Sequence, residues 1–167
     1  HGVIYDLIGF VQLDFIAMPE KRSPATGNDD SHVTVEVRNP GNTTVLFTQT
    51  VDTEFDGEYA TLDLTGISPG TYDLTAKAYS HLRRKKENVV LGTGINNLDF
   101  TDIGTNKVLC GDVNLADGDN KVNSLDVTLL VADWFTADER IDLNQDGQVN
   151  SIDMTNMVTN FNQVGDE

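Results

Sequence analysis

Twelve residues constrain the C-terminal third of this chain more than anything else in it. Residues 142–153 read Asp142-Leu143-Asn144-Gln145-Asp146-Gly147-Gln148-Val149-Asn150-Ser151-Ile152-Asp153. Oxygen-bearing side chains fall at loop positions 1, 3, 5, 9 and 12, and glycine falls at position 6, where such a loop turns sharply. A hard divalent cation needs this wrap. Calcium takes six to eight oxygens at about 2.3–2.6 Å, with position 7 adding a main-chain carbonyl, here that of Gln148. Position 12 is Asp153 where Glu is usual. The shorter carboxylate changes how the following helix must approach.

The pattern occurs twice. Counting back from Asp126 places Asn123 at position 9, Lys121 (through its carbonyl) at 7 and Asp119 at 5, while Asp112 and Asn114 take positions 1 and 3. The first loop is therefore longer, with a three-residue insertion between Asn114 and Asp119. A competing alignment puts Asp117-Gly118 at positions 5 and 6. The first is preferred because Val122-Asn123-Ser124-Leu125-Asp126 then matches Val149-Asn150-Ser151-Ile152-Asp153 without a gap, at a constant offset of 27. Asn120 falls at position 6, and Asn enters left-handed backbone more easily than most residues. The repeat continues past the loops. Val127, Leu130, Val131 and Trp134 recur at helical spacing, as do Met154, Met157, Val158 and Phe161. Each loop is thus followed by one amphipathic helix, and no comparable apolar helix precedes either.

These residues resemble a dockerin module: two loop-helix motifs over residues 110–167, opening with Gly111-Asp112-Val113-Asn114. The resemblance implies a three-helix fold that holds two calcium ions and binds a cohesin, itself a β-sandwich. It also implies that positions 10 and 11 read the partner, here Ser124-Leu125 and Ser151-Ile152, with an apolar contact in place of a hydroxyl pair. Their near identity in the two halves is consistent with two-fold pseudosymmetric binding.

Charge follows the same division. The formal net charge is −16, and residues 110–167 carry two Lys/Arg against twelve Asp/Glu. That balance excludes nucleic acid and anionic membrane as partners. No apolar run approaches the roughly 20 residues that span a bilayer, so no membrane insertion is expected. Without calcium the loop carboxylates repel one another, so a chelator should loosen this half. Cys110 is the only cysteine, so no internal disulfide forms, and a small buried residue is the expected role. Calcium-dependent stability suits a secreted or cell-surface protein, where calcium is millimolar. The chain does not begin with Met, and a processed mature chain or an excised piece is expected.

Residues 1–109 read as a separate all-β domain, an immunoglobulin- or transthyretin-like sandwich. Val11, Leu13 and Phe15 alternate with polar residues, as do Val33, Val35 and Val37, and Tyr72, Leu74, Ala76 and Ala78. Turn signals at Asn39-Pro40-Gly41-Asn42, Asp56-Gly57 and Ser68-Pro69-Gly70 divide about seven short strands. The stretch from Asp56 to Leu74 is similar to the carboxypeptidase-regulatory-like, transthyretin-like sandwiches, which implies a non-catalytic spacer or adhesion module. A polar loop is expected over residues 16–31, a seam over 101–109, and a glycosylation sequon at Asn42-Thr43-Thr44.

Arg83-Arg84-Lys85-Lys86 is the only basic cluster. A solvated loop is the plain reading. The sharper one makes it a docking patch for the acidic end of the next copy, giving a filament, with residues 1–15 free to add a strand to a neighbour. No phosphate loop or Ser/His/Asp spacing emerges, and Gly92-Thr93-Gly94 reads as a loop. One enzyme reading remains: an N-terminal His1 resembles copper-dependent polysaccharide monooxygenases. The expectation is a non-enzymatic, calcium-dependent assembly module. Its partner is a cohesin-type sandwich or the next copy of itself, unless the chain is the dockerin tail of a larger cellulosomal enzyme or adhesin within a polysaccharide-degrading complex.

Overall fold

The computed structural model describes residues 9–21, 32–53, 57–101, 108–115 and 118–167. Seven strands are followed by two helices: β1 (Val11–Ile16), β2 (His32–Arg38), β3 (Val45–Asp52), β4 (Glu58–Asp63), β5 (Gly70–Ala78), β6 (Arg84–Leu91), β7 (Gly94–Asp99), α1 (Ser124–Ala132) and α2 (Ser151–Thr159). One sheet has the order β4-β1-β7 and the other β3-β2-β5-β6. All pairings are antiparallel except β1 with β7.

The strands form where side chains alternate. Val11, Leu13 and Phe15 of β1 face Val33, Val35 and Val37 of β2 and Leu74, Ala76 and Ala78 of β5 across a shared apolar core. The β2–β3 connection follows from its residues. Pro40 supplies the fixed φ, Gly41 sits at φ +68, and the Asn42 amide donates to the Asn39 carbonyl. The stretch that ends in β4 and begins β5 carries the chain from one sheet to the other, turning at Gly66.

A second apolar core lies in the C-terminal half: Cys110, Val113, Val122, Leu130, Ile141, Leu143, Val149 and Met157. Leu82 joins it from the sandwich side, from the turn between β5 and β6. The seam is broad. Cys110 bridges to His81, the Leu82 amide donates to the Leu109 carbonyl, and the Gly111 and Asp112 amides both donate to the Ser80 carbonyl. Glu20 is buried there too. Its Oε2 accepts from the Cys110 amide and from Asn160 Nδ2, and Glu20 accepts the Cys110 thiol as well. Burial pushes that thiol well above its ordinary range.

Four expectations change. The resemblance implied three helices, but the described residues form two, and the linker between them makes only a turn in which the Asp142 amide donates to the Asp138 carbonyl. Val131 and Val158 lie on the solvent side of their helices, 55% and 54% exposed, instead of in the core. The basic stretch is neither a solvated loop nor a free patch. Arg83 lies just before β6, whose first residues are Arg84, Lys85 and Lys86. These residues are engaged within the chain. Arg84 pairs with Asp166, the Lys85 amide donates to Asp166 Oδ2, and Arg83 pairs with Glu36. The acidic partners are in the same chain: Asp166 near the C-terminus for Arg84, and Glu36 and Glu87 of the sandwich for Arg83 and Lys85. Finally, β1 is the central strand of its own sheet, so residues 11–16 have no free edge to offer a neighbour.

Candidate metal and partner site

The second loop is built around two buried carboxylates. Asp142 is 3% exposed; its Oδ1 accepts from the Asp146 amide at 3.2 Å and its Oδ2 from the Gly147 amide at 2.7 Å. Gly147 adopts φ +94, the left-handed backbone this turn requires. Asp153 is fully buried; its Oδ1 accepts from the Leu143 and Asn144 amides and its Oδ2 from the Asn150 amide. Asp153 is also the third residue of α2, and it closes a capping box with Asn150. α2 thus starts inside the loop, and the aspartate at position 12 is engaged as its capping residue.

The first loop repeats the pattern. Asp112 Oδ1 accepts from the Asp119 amide and its Oδ2 from the Asn120 amide. Asp126 accepts from the Val113, Asn114 and Asn123 amides and caps α1 with Asn123. The Lys121 amide donates to Asp119 Oδ1 as the Gln148 amide does to Asp146 Oδ1. Asp119 therefore stands to Asp112 as Asp146 stands to Asp142, and Asn120, at φ +63, takes the place of Gly147. Asp117 lies outside the described residues. Gly118 passes so close to Asp112 that an added Cβ would lie 2.1 Å from Oδ2, so the inserted segment can cross there only as glycine.

The loops are cross-tied. Val149, at position 8, pairs through its backbone with Phe135 and Thr136 beyond α1, and Val122 pairs with Asn162 and Gln163 beyond α2. All four partners keep the offset of 27. Phe135 and Asn162 both adopt φ +66.

The residues fit a hard cation. Asn114 Oδ1, at position 3, is buried and has no hydrogen-bond partner, and such an atom calls for a ligand or a water. Burial pushes the Asp112 and Asp153 carboxyls above the usual carboxylate range, against the Lys77 ammonium and backbone hydrogen bonds at Asp112 and against backbone hydrogen bonds at Asp153; a bound cation offsets that burial. Among the described residues no three His, Cys, Asp or Glu side chains gather as a metal cluster. The donors that the spacing assigns, the carboxylates of Asp112, Asp119 and Asp126 or Asp142, Asp146 and Asp153 with the amide oxygens of Asn114, Asn123, Asn144 and Asn150 and the carbonyls of Lys121 and Gln148, therefore line the loops without their carboxylates converging on one point.

The same loops start the helices whose outer faces are exposed. Ser124, Leu125, Thr128 and Val131 of α1 correspond to Ser151, Ile152, Thr155 and Val158 of α2. Leu125 is 60% and Ile152 51% exposed. Asn42 sits exposed on the β2–β3 turn, its Oδ1 accepting from the Thr44 amide. His1 lies outside the described residues. His32 pairs with Asp52 on the sandwich surface, and the buried His81 ring lies between the Tyr79 and Glu20 carbonyls. Sequence reasoning missed two residues. Lys77, hidden in the alternation of β5, donates to Asp112 Oδ2 at 2.8 Å. Glu20, in a stretch read as polar loop, organises the seam.

No family model matches the chain, and no curated protein matches it. Solved structures do. A chain of a type II cohesin–X-module–dockerin complex from Acetivibrio cellulolyticus, mutated at its N-terminal interface, superposes with a TM-score of 0.65 at 19% identity, covering 93% of this chain and 97% of that one. The corresponding complex with a C-terminal interface mutation gives 0.64 at 19% identity, with the same coverage. The β-sandwich followed by a small two-helix segment is the architecture of an X-module joined to a dockerin.

Proposed function

We propose that this chain is a non-catalytic, calcium-dependent docking module of extracellular protein assemblies, and that its C-terminal half binds a cohesin-type β-sandwich. The division is a sandwich over residues 1–109 and a docking unit over 110–167. One observation carries the reading. Two loops with buried carboxylates each open directly into a helix, and each helix bares an equivalent face headed by Leu125 or Ile152. The match to chains solved in cohesin complexes supports the choice of partner.

Calcium, when bound, supplies the positive charge that lets several oxygens converge in each loop. The protein does the rest. Asp126 and Asp153 cap the helices and tie each loop to its helix, and the cross-tied valines hold the two helices in one arrangement. Leu125 and Ile152 then stand ready to enter apolar pockets on the partner. Among the described residues no helix is long and apolar enough to cross a membrane. Arg83, Arg84 and Lys85 are engaged within the chain, so no observation favours the filament.

The test is calorimetry of the whole chain with a type II cohesin, in millimolar calcium and then in chelator. Binding is expected in calcium only. The double variant Leu125→Asp, Ile152→Asp should lower affinity by about 100-fold or more, since each places a charge where an apolar anchor is buried. Equal binding by this variant, with its calcium-dependent fold intact, would move the partner site elsewhere.

A further inference from the structure

The two loops differ in a way that the repeat does not predict: among the described residues a sandwich side chain reaches a carboxylate of the first loop, whereas the second is met only at its entry, where Ser80 Oγ donates to the Arg140 carbonyl. Lys77 comes from β5 and is 12% exposed. Its ammonium donates to Asp112 Oδ2 and to the His81 carbonyl. The Asp112 side chain is fully buried, so the pair is shielded from solvent. At position 6 of the first loop, Asn120 replaces the glycine of the second and acts as a staple. Its Oδ1 accepts from the Arg83 amide, its Nδ2 donates to the Asp166 carbonyl, and its own carbonyl accepts from the Gly165 amide. An added Cβ on Gly165 would lie 2.0 Å from Asn120 Oδ1, so the C-terminal strap fits only as glycine there. In the second loop Asp142 accepts from the Asp146 and Gly147 amides, and among the described residues no lysine or arginine pairs with it.

We propose that the sandwich supplies a working part of the first calcium loop. Lys77 fixes Asp112 and carries positive charge into the loop, so the first loop stays closed without calcium and binds calcium more weakly than the second. This rests on the calcium reading above. The physical reason is simple. An ammonium on a buried carboxylate repels a divalent ion arriving at the same carboxylate, and buried charges are poorly screened. The same ammonium stabilises the empty loop, because the carboxylate then keeps a partner at all times. The first loop thereby becomes a fixed element of the junction, and the second loop carries the steeper response to calcium.

The test is a calcium titration of the full chain after chelator treatment, followed by calorimetry, for the wild type and for Lys77→Met, Lys77→Gln and Lys77→Arg. The wild type should show two resolved sites. The Met and Gln variants should tighten the weaker site by about tenfold, and the Arg variant should stay near wild type. In chelator, amide exchange at Asp119 and Asn120 should quicken in the Met and Gln variants, with Asp146 and Gly147 unchanged. Unchanged constants in both neutral variants, or a weaker first site, would overturn the role of Lys77. No calcium uptake by the wild type would instead remove the calcium reading itself.

Discussion

Replacing Asp153 by Ala is expected to abolish cohesin binding even in millimolar calcium, and to unfold the C-terminal half well before the sandwich. Asp153 is fully buried and accepts from three backbone amides, those of Leu143, Asn144 and Asn150. Its loss leaves these donors without their acceptor, at about 1–3 kcal/mol for each buried orphan. It also opens the capping box of α2 and takes a carboxylate from the loop. A total near 3 kcal/mol lowers the midpoint of a domain this small by roughly 10–20 °C. The chain reports on its halves separately. Trp134 is the only tryptophan and follows α1, whereas all four tyrosines lie in residues 1–109. Tryptophan fluorescence should therefore show the early transition while tyrosine signals hold. Asp142→Ala should act the same way, through the amides of Asp146 and Gly147. Cohesin affinity equal to wild type in either variant would break the link between loop closure and docking.

The duplicated loop-helix pattern was legible in the sequence because its signals are local. Position, residue type and turn glycine all fall within twelve consecutive residues. The register of the longer first loop could also be read, since the downstream Val-Asn-Ser-apolar-Asp block leaves no gap. The strands of the sandwich announced themselves through alternation at Val11, Val33 and Tyr72. Other features were hidden for physical reasons. Val131 and Val158 fit a helical period that serves a core and an exposed binding face equally well, and periodicity alone does not assign the side. Lys77 looks like any solvent-facing residue of a strand, and its partner lies 35 residues away. The basic stretch displayed complementarity to an acidic half, but sequence does not say whether complementary surfaces meet within one chain or between two. Here they meet within the chain: Asp166 reaches back to Arg84 and the Lys85 amide, while Glu36 and Glu87 pair with Arg83 and Lys85.

Leu82→Ala should separate the two halves without touching either loop. Leu82 belongs by sequence to the sandwich, yet its side chain is fully buried in the C-terminal core beside Cys110, Val113, Leu130 and Met157. Truncating a leucine in such a site costs about 2–5 kcal/mol. The loss falls on the smaller of the two cores, in the acidic half, while the sandwich keeps its own apolar interior. In the wild type with calcium, tyrosine and tryptophan signals are expected to melt together, as one cooperative unit. In the variant the tryptophan transition should fall by roughly 10 °C or more and part from the tyrosine transition. Cys110 gives a second reading. Its thiol is fully buried at the seam, under the Glu20 carboxylate, so a thiol reagent should reach it only when the junction opens. Faster labelling in Leu82→Ala, at temperatures where the sandwich is intact, would place the stability of the docking half in the sandwich that precedes it. A tyrosine transition that falls while the tryptophan one stays put would give Leu82 back to the sandwich, and the two halves would then be independent bodies joined by hydrogen bonds alone.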